Sequence, residues 1–219
     1  MTTIKLDGNT LSSTEVSLVA NGAKVEVAID AWGKVELARD VVNRILATDE
    51  TVYGINTGFG ALVSESISAD ELNALQNNLI RSHACGIGER MSVEDTRAMM
   101  CVRINSLVKG HSGIRKKVVQ QIVEYLNADI IPVVPRLGSL GASGDLAPLS
   151  HMALALIGEG EVWRNGVPTP TSEVLREKGM IGVELGAKDG LSLINGTSQM
   201  CSLLVRADNC LANLIPMAD

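Results

Sequence analysis

Apolar residues recur every three to four positions over most of this 219-residue sequence, which is the spacing of helices with one buried face. The pattern predicts a mainly α-helical fold in a single body, because neither an internal repeat nor a linker interrupts it. The segments with this pattern are residues 35–46, 68–86, 92–110, 112–126, 171–178 and 197–214.

Local signals mark several ends of these helices. Ser68 and Glu71 have the spacing of a capping box, in which each side chain bonds the other residue's backbone N–H. Ser92 is a second candidate N-cap, and Gly179 is expected to end the helix that begins at Thr171. Three glycine-rich segments separate the helices, at residues 54–60, 138–144 and 182–196. Loops held by a rigid scaffold commonly carry chemistry, so these are the first places to look for a site.

Composition removes several classes of function. The chain is 46% hydrophobic and 20% charged, as in ordinary globular proteins, but only 2% aromatic. Stacking platforms for nucleic acids and β-sandwich cores usually need more aromatic residues. The net charge is −6 and the basic residues are scattered, which argues against nucleic-acid or membrane partners. Without a signal peptide or an apolar span, the sequence predicts a cytoplasmic protein with a small-molecule partner.

The cysteines and histidines do not have metal-ligand spacing. They are Cys85, Cys101, Cys201 and Cys210, with His83, His111 and His151. Because no CxxC or HExxH pattern occurs, we expect no metal site. The thiols are expected to be reduced and mostly buried.

The middle glycine-rich segment, GSLGASGDLAPLSH from Gly138 onward, precedes an apolar run. Asp145 and Pro148 suit the N-cap and first turn of a helix, so residues 142–144 should precede a helix N-terminus. An ordinary capped loop, a phosphate cradle and a hydrolase serine elbow are all conceivable here. However, the cradle would need a following lysine, and the elbow needs glycine two residues after its serine.

The order Ala142-Ser143-Gly144 permits a different reaction. In a tight bend the Gly144 nitrogen can reach the Ala142 carbonyl carbon, because glycine has no side chain to obstruct it. Loss of water then closes a five-membered ring. Elimination of the Ser143 hydroxyl leaves an exocyclic methylidene, a strong electrophile that unmodified side chains do not provide.

This segment closely resembles the signature of the histidine, phenylalanine and tyrosine ammonia-lyases and the related aminomutases, which carry a self-made 4-methylideneimidazole-5-one (MIO) group. Three other segments resemble the same family in the same order. They are YGINTGFG from Tyr53, LQNNLIRSHACGIG around His83, and LINGT around Asn195. Four matches spread along the chain make a chance resemblance improbable. The resemblance implies a helical, fumarase/aspartase-like N-terminal domain with glycine-rich active-site loops.

The resemblance also implies roles for individual residues. Residues 142–144 would form the MIO electrophile that takes up the substrate amino group, without any metal. Tyr53 would remove the β-proton, within a mobile glycine loop that ends at Gly60 and contributes to substrate binding. Asn195 would hydrogen-bond near the ring and the substrate. Without the resemblance, Tyr53 would be a loop aromatic and Asn195 a turn residue before glycine.

Substrate side-chain recognition is implied at Ser82 and His83, which resemble the pair found in histidine ammonia-lyases. His83 could hydrogen-bond an imidazole or an aromatic hydroxyl, which favours histidine or a hydroxylated ring such as that of tyrosine. The alternative is a core histidine, since His83 follows the apolar face of its helix.

The resemblance covers the N-terminal half of the family pattern. We therefore expect a catalytic domain over residues 1–196 and the truncated start of a helical bundle over residues 197–219. The missing half would supply the arginine for the substrate carboxylate and a second tyrosine, and family members are tetramers. Three hypotheses follow: a homo-oligomeric ammonia-lyase that forms a trans-unsaturated acid, a weak or inactive assembly module, and an aminomutase.

Overall fold

The computed structural model describes residues 2–48, 50–57 and 69–218. Its helices are α1 Ser13–Ala20, α2 Ile29–Leu46, α3 Ala69–His83, α4 Val93–Val108, α5 Lys116–Asn127, α6 Leu146–Leu156, α7 Thr171–Lys178, α8 Asp189–Ile194 and α9 Ser198–Ala218. Its strands are β1 Thr3–Leu6, β2 Lys24–Val27, β3 Ile87–Arg90, β4 Ile131–Pro132, β5 Pro135–Leu137, β6 Glu161–Arg164 and β7 Val167–Pro170. Across these ranges, the helices are too short or too polar to span a bilayer.

Helix α4 lies at the centre of the fold, with α1, α5 and α9 packed around it. It begins where the sequence predicts, because the Ser92 hydroxyl accepts a hydrogen bond from the Asp95 N–H. Its core side chains are aliphatic or sulfur-containing, and Met99, Ile104 and Leu107 are at most 1% exposed. The low aromatic content is therefore matched by a core of branched aliphatics and methionines.

Helices α3, α6 and α8 form a second group beside this centre. The Gln76 Oε1 on α3 accepts a hydrogen bond from the Gly190 N–H on α8, at 2.8 Å. At the end of α3, the Gly86 N–H donates to His151 Nε2 on α6, at 3.1 Å. These bonds fix the three helices around the loops that precede α6 and follow α8.

The strands form small sheets at the edges of the helical body. Strands β1 and β2 are parallel, with Thr3 opposite Lys24. Strands β3 and β5 pair antiparallel, and β4, β6 and β7 form an antiparallel sheet in that order. Each has four residues or fewer, which is too short to show an alternating pattern in the sequence.

Several sequence predictions need correction. Helix α1 was not predicted, although Ser12 and Glu15 form a capping box. Helix α2 begins at Ile29 rather than residue 35, and its first turns contain Gly33, which lowers helix propensity. Helix α5 begins at Lys116 rather than near residue 112, because the preceding segment is bonded to α8 instead.

The prediction of mostly buried thiols is wrong. Cys101 is buried in α4, where burial raises its pKa to about 12. Cys85, Cys201 and Cys210 are exposed. Cysteine is often buried as a small hydrophobe, but the two cysteines of α9 lie on faces that do not meet the core.

Candidate active site

The segment from Gly138 to Asp145, here called the glycine loop, runs against the turn that follows α8. Gly144 has φ +144°, and a Cβ there would lie 2.7 Å from the Gly196 nitrogen and 3.0 Å from Asn195 Oδ1. The Asp145 N–H donates to the Gly196 carbonyl at 2.7 Å. Only glycine suits this backbone conformation and this space. The fold therefore brings the predicted Ala-Ser-Gly triplet beside Asn195.

Ala142, Ser143 and Asn195 are all exposed, whereas Gly144 and Asp145 are buried. The site thus has an open side that carries the candidate reactive groups and a buried side that holds their backbone. Ser143 has no neighbour in sequence that would shield its hydroxyl from a ligand.

Asp145 has a different role from the predicted one. It is the N-cap residue of α6, but its side chain does not cap that helix, because its backbone at ψ 57° is not extended. Its carboxylate instead accepts the N–H groups of Gln199 at 2.8 Å and Met200 at 3.0 Å, and the Ser139 hydroxyl at 2.8 Å. The fully buried carboxylate joins the glycine loop to the first turn of α9.

Arg103 supports the Asn195 turn from within the fold, which the sequence did not indicate. Its Nη2 donates to the carbonyls of Ser192 and Asn195. A Cβ at Gly196 would lie 1.9 Å from Arg103 Nη1, so the guanidinium occupies the place of a side chain there. Burial lowers the pKa of Arg103 to about 10, and the charge of Asp145 opposes that shift. Arg103 is therefore still a cation at neutral pH.

Ser82 and His83 lie at the end of α3. His83 Nδ1 is 2.9 Å from the Leu79 carbonyl and 3.0 Å from the Ser82 hydroxyl, which itself donates to Leu79 O. Because a carbonyl only accepts, we infer that Nδ1 carries the hydrogen, which leaves Nε2 of the neutral ring as an acceptor. The chain after His83 contacts the glycine loop, where a Cβ at Gly138 would lie 3.0 Å from Gly86 Cα.

Tyr53 lies in a turn, residues 52–57, and is 56% exposed. The turn is closed by the Val52 N–H, which donates to Asn56 Oδ1 at 2.8 Å. Gly54 has φ +74°, and a Cβ there would lie 2.7 Å from the Leu191 side chain on α8. The turn therefore packs one helical turn before Asn195. Gly60 lies outside the described residues.

These contacts thus connect the candidate residues that the structure describes to one region of the fold. The glycine loop contacts Asn195 directly, and the chains that carry His83 and Tyr53 reach it through Gly86 and α8. In the described part of the chain, no group of three His, Cys, Asp or Glu residues could hold a metal. His111 and His151 remain without a role in this chemistry.

Comparison with known proteins shows that the chain is similar to one enzyme family. The sequence profile of the aromatic amino acid lyases matches residues 11–219. A histidine ammonia-lyase of Staphylococcus aureus (strain bovine RF122 / ET3-1) is 51% identical over 199 residues, which are 90% of this chain and 40% of that protein. The chain therefore spans well under half the length of this relative.

Solved structures agree with this match. The histidine ammonia-lyase of Trypanosoma cruzi is 40% identical with a TM-score of 0.86, over 94% of this chain and 40% of its own. The phenylalanine aminomutase of Pantoea agglomerans is 30% identical with a TM-score of 0.91, over 100% of this chain and 42% of its own. The predicted helical ammonia-lyase fold is confirmed, as is the predicted family resemblance. On this sequence profile and these structures, the chain belongs to the aromatic amino acid lyase family.

Proposed function

We propose that this chain is the catalytic N-terminal part of a lyase that removes ammonia from an aromatic L-amino acid, with L-histidine as the preferred substrate. The observation that carries the proposal is the packing of Gly144 against Asn195 and Gly196, with Ala142 and Ser143 exposed beside it. The preference for histidine rests on Ser82 and His83, and on the identity with histidine ammonia-lyases.

The residues fit an MIO group formed from Ala142-Ser143-Gly144. A tight bend in which the Gly144 nitrogen approaches the Ala142 carbonyl needs a glycine with unusual backbone angles, and Gly144 has them. Asp145 and the Gly196 carbonyl hold the end of the triplet against α9 and the Asn195 turn. When formed, the group supplies an electrophile that takes up the substrate α-nitrogen and makes it a better leaving group.

The remaining steps use the side chains of this chain. Tyr53 Oη takes a proton from the substrate β-carbon, the electron pair of that C–H bond forms the Cα–Cβ double bond, and the C–N bond breaks. Asn195 hydrogen-bonds at the reacting end of the substrate. His83 Nε2 accepts the N–H of the substrate imidazole, which orients the ring. The products are the trans-α,β-unsaturated acid and ammonia.

A second candidate is a role in assembly without turnover. The later part of α9 is apolar and exposed, with Leu204, Leu211, Leu214, Ile215 and Met217 all more than half exposed. Such a face suits burial in a homo-oligomer, for which the family resemblance suggests a tetramer. The similarity to a phenylalanine aminomutase makes return of ammonia to the β-carbon a further possible outcome.

The test is an ultraviolet assay of the purified chain with histidine, tyrosine, phenylalanine and dihydroxyphenylalanine, beside Ser143→Ala. We expect product absorbance with histidine that disappears in Ser143→Ala. Intact mass supplies a second readout, because ring closure removes two waters, about 36 Da, as a covalent change to the chain. An intact mass without the loss of two waters, together with no product absorbance from any of the substrates, would support the assembly role instead. A β-amino acid product would identify an aminomutase.

A further inference from the structure

A cavity of about 340 Å³ lies beside Asn195, between residues of α4, the segment that follows α4, and α8. The residues of its wall that matter here are Arg103, Lys109, His111, Ser112, Lys188 and Asn195. Its volume falls in the lower range of small-ligand sites. None of the residues that line it is acidic.

The two lysines of this wall differ in burial, since Lys109 is exposed and Lys188 is half-buried. Among the described residues, neither Lys109 nor Lys188 forms an ion pair. The carboxylate of the neighbouring Asp189 pairs with Arg115 at 2.5 Å and with Arg39 at 3.9 Å, rather than with Lys188. Burial lowers the pKa of Lys188, as expected of a cation without a counter-ion.

Within the described residues, two buried hydrogen-bond donors that belong to this wall have no partner. They are Arg103 Nε and the Ser112 hydroxyl, and Arg103 is only 3% exposed. A buried donor without an acceptor costs about 1–3 kcal/mol, so an acceptor at this place is strongly favoured. The unpartnered buried polar atoms described in this wall are therefore both donors.

The backbone at Lys188 is also unusual. It has φ +74° and ψ −22°, a left-handed conformation that is uncommon outside glycine, asparagine and aspartate. Such conformations persist where the surrounding structure requires them, and they cluster at functional sites. Here the conformation sets Lys188 in the cavity wall immediately before α8.

We propose that this cavity binds a small oxyanion of the phosphate class. An oxyanion offers several acceptor oxygens and no donor, which matches the free Arg103 N–H, the Ser112 hydroxyl and the ammonium groups of Lys109 and Lys188. A doubly charged tetrahedral anion matches the unneutralised lysines better than a monocarboxylate does. The cavity shares Arg103 and Asn195 with the candidate active site, whereas Lys109, Ser112 and Lys188 have no part in the proposed lyase reaction.

The test is calorimetric titration of inorganic phosphate into the purified chain at constant ionic strength. We expect saturable binding of one phosphate, weakened at least tenfold in Lys188→Met and in Ser112→Ala. Lys24→Met is the matched control, because Lys24 is an exposed lysine on β2 and should leave the affinity unchanged. Melting temperatures identify any variant that does not fold, and Ser112→Ala then decides alone.

Acetate titrated in parallel distinguishes the two anion classes. Binding of acetate as tight as that of phosphate would overturn the assignment of a dianion site. The proposal also fails if no saturable heat appears, if both cavity variants bind like the unmodified chain, or if Lys24→Met weakens binding as much. Because the readout is binding rather than turnover, it is independent of the outcome of the ultraviolet assay.

Discussion

The two sides of the candidate active site are built in different ways. On the buried side, Arg103 and Asp145 hold backbone groups of the loops in hydrogen bonds or charge contacts. On the open side, Tyr53, Ser143 and Asn195 are exposed. The buried side fixes the backbone, and the open side presents exposed side chains to a ligand.

Because of this difference, substitutions on the buried side and on the open side should affect different properties, namely stability and turnover. Buried charges are costly to leave unpaired, so a change on the buried side should first lower the free energy of unfolding. Exposed side chains contribute little to stability, so a change on the open side should first lower turnover. The following variants test that separation.

Gly144→Ala should have the largest effect, because residue 144 lies at the boundary of the two sides. The added Cβ would meet Gly196 and Asn195, and alanine is strained at φ +144°. We expect lyase activity to fall at least about a thousandfold, as for loss of a covalent catalytic group, with a lower melting temperature. Gly166→Ala is the control, since φ is +78° there but nothing lies within 4 Å. Near-normal turnover in Gly144→Ala would contradict both the site and the proposed ring.

Arg103→Met should lower the free energy of unfolding by about 1–3 kcal/mol for each of two carbonyls, those of Ser192 and Asn195, because both lose their donor. Chemical denaturation measures this directly. Arg164→Met is the matched control, since Arg164 forms exposed ion pairs with Glu173 and Glu177 that contribute about 1 kcal/mol or less. Equal losses of unfolding free energy in the two variants would contradict the distinction between the buried side of the site and the protein surface.

His83→Ala should lower kcat/KM for histidine about tenfold to a hundredfold, the usual effect of one lost substrate hydrogen bond. The melting temperature should stay close to normal, because the hydrogen bonds described for His83 lie within the end of its own helix. His83→Gln restores an acceptor and should recover part of the activity. A large loss of stability without a change in kcat/KM would assign His83 to the core instead.

His151→Gln should have the smallest effect, seen only in acid. Burial lowers the pKa of His151 below its ordinary value of 6.5, and its Nε2 must stay unprotonated to accept from Gly86. The unfolded chain therefore takes up this proton first, so the stabilisation is complete above about pH 6.5 and is lost as the pH falls toward the lower folded value. Melting temperatures measured between pH 5 and 8 should depend less on pH in His151→Gln.

The helices and the candidate reactive groups could largely be read from the sequence. Both depend on residues close together in the chain: the cap at Ser92, the C-terminal Gly179 and the Ala-Ser-Gly triplet. Helix α7 has the predicted limits because Gly179 adopts the left-handed conformation at φ +65°. Short strands were missed because two to four residues carry too little pattern.

The buried side of the site could not be read in this way. Arg103 meets Asn195 across 92 positions, and Asp145 meets Gln199 across 54. From the sequence, Asp145 suited the N-cap of α6. Its hydrogen bonds to the first turn of α9 could not be predicted. An arginine in a helix is usually exposed, so only the tertiary packing identifies the buried Arg103 as a support.

The bond from Asp145 to the start of α9 has a consequence for the timing of synthesis. The chain emerges from the ribosome from its N-terminus at about 5–20 residues per second. The residues that donate to Asp145 are translated 54 and 55 positions later. Several seconds therefore pass before the Asp145 carboxylate can accept these hydrogen bonds. During that interval the triplet is an ordinary stretch of exposed peptide. The contacts of Asp145 that hold the end of the triplet, on which the proposed ring closure depends, therefore form only after the first turn of α9 has been translated.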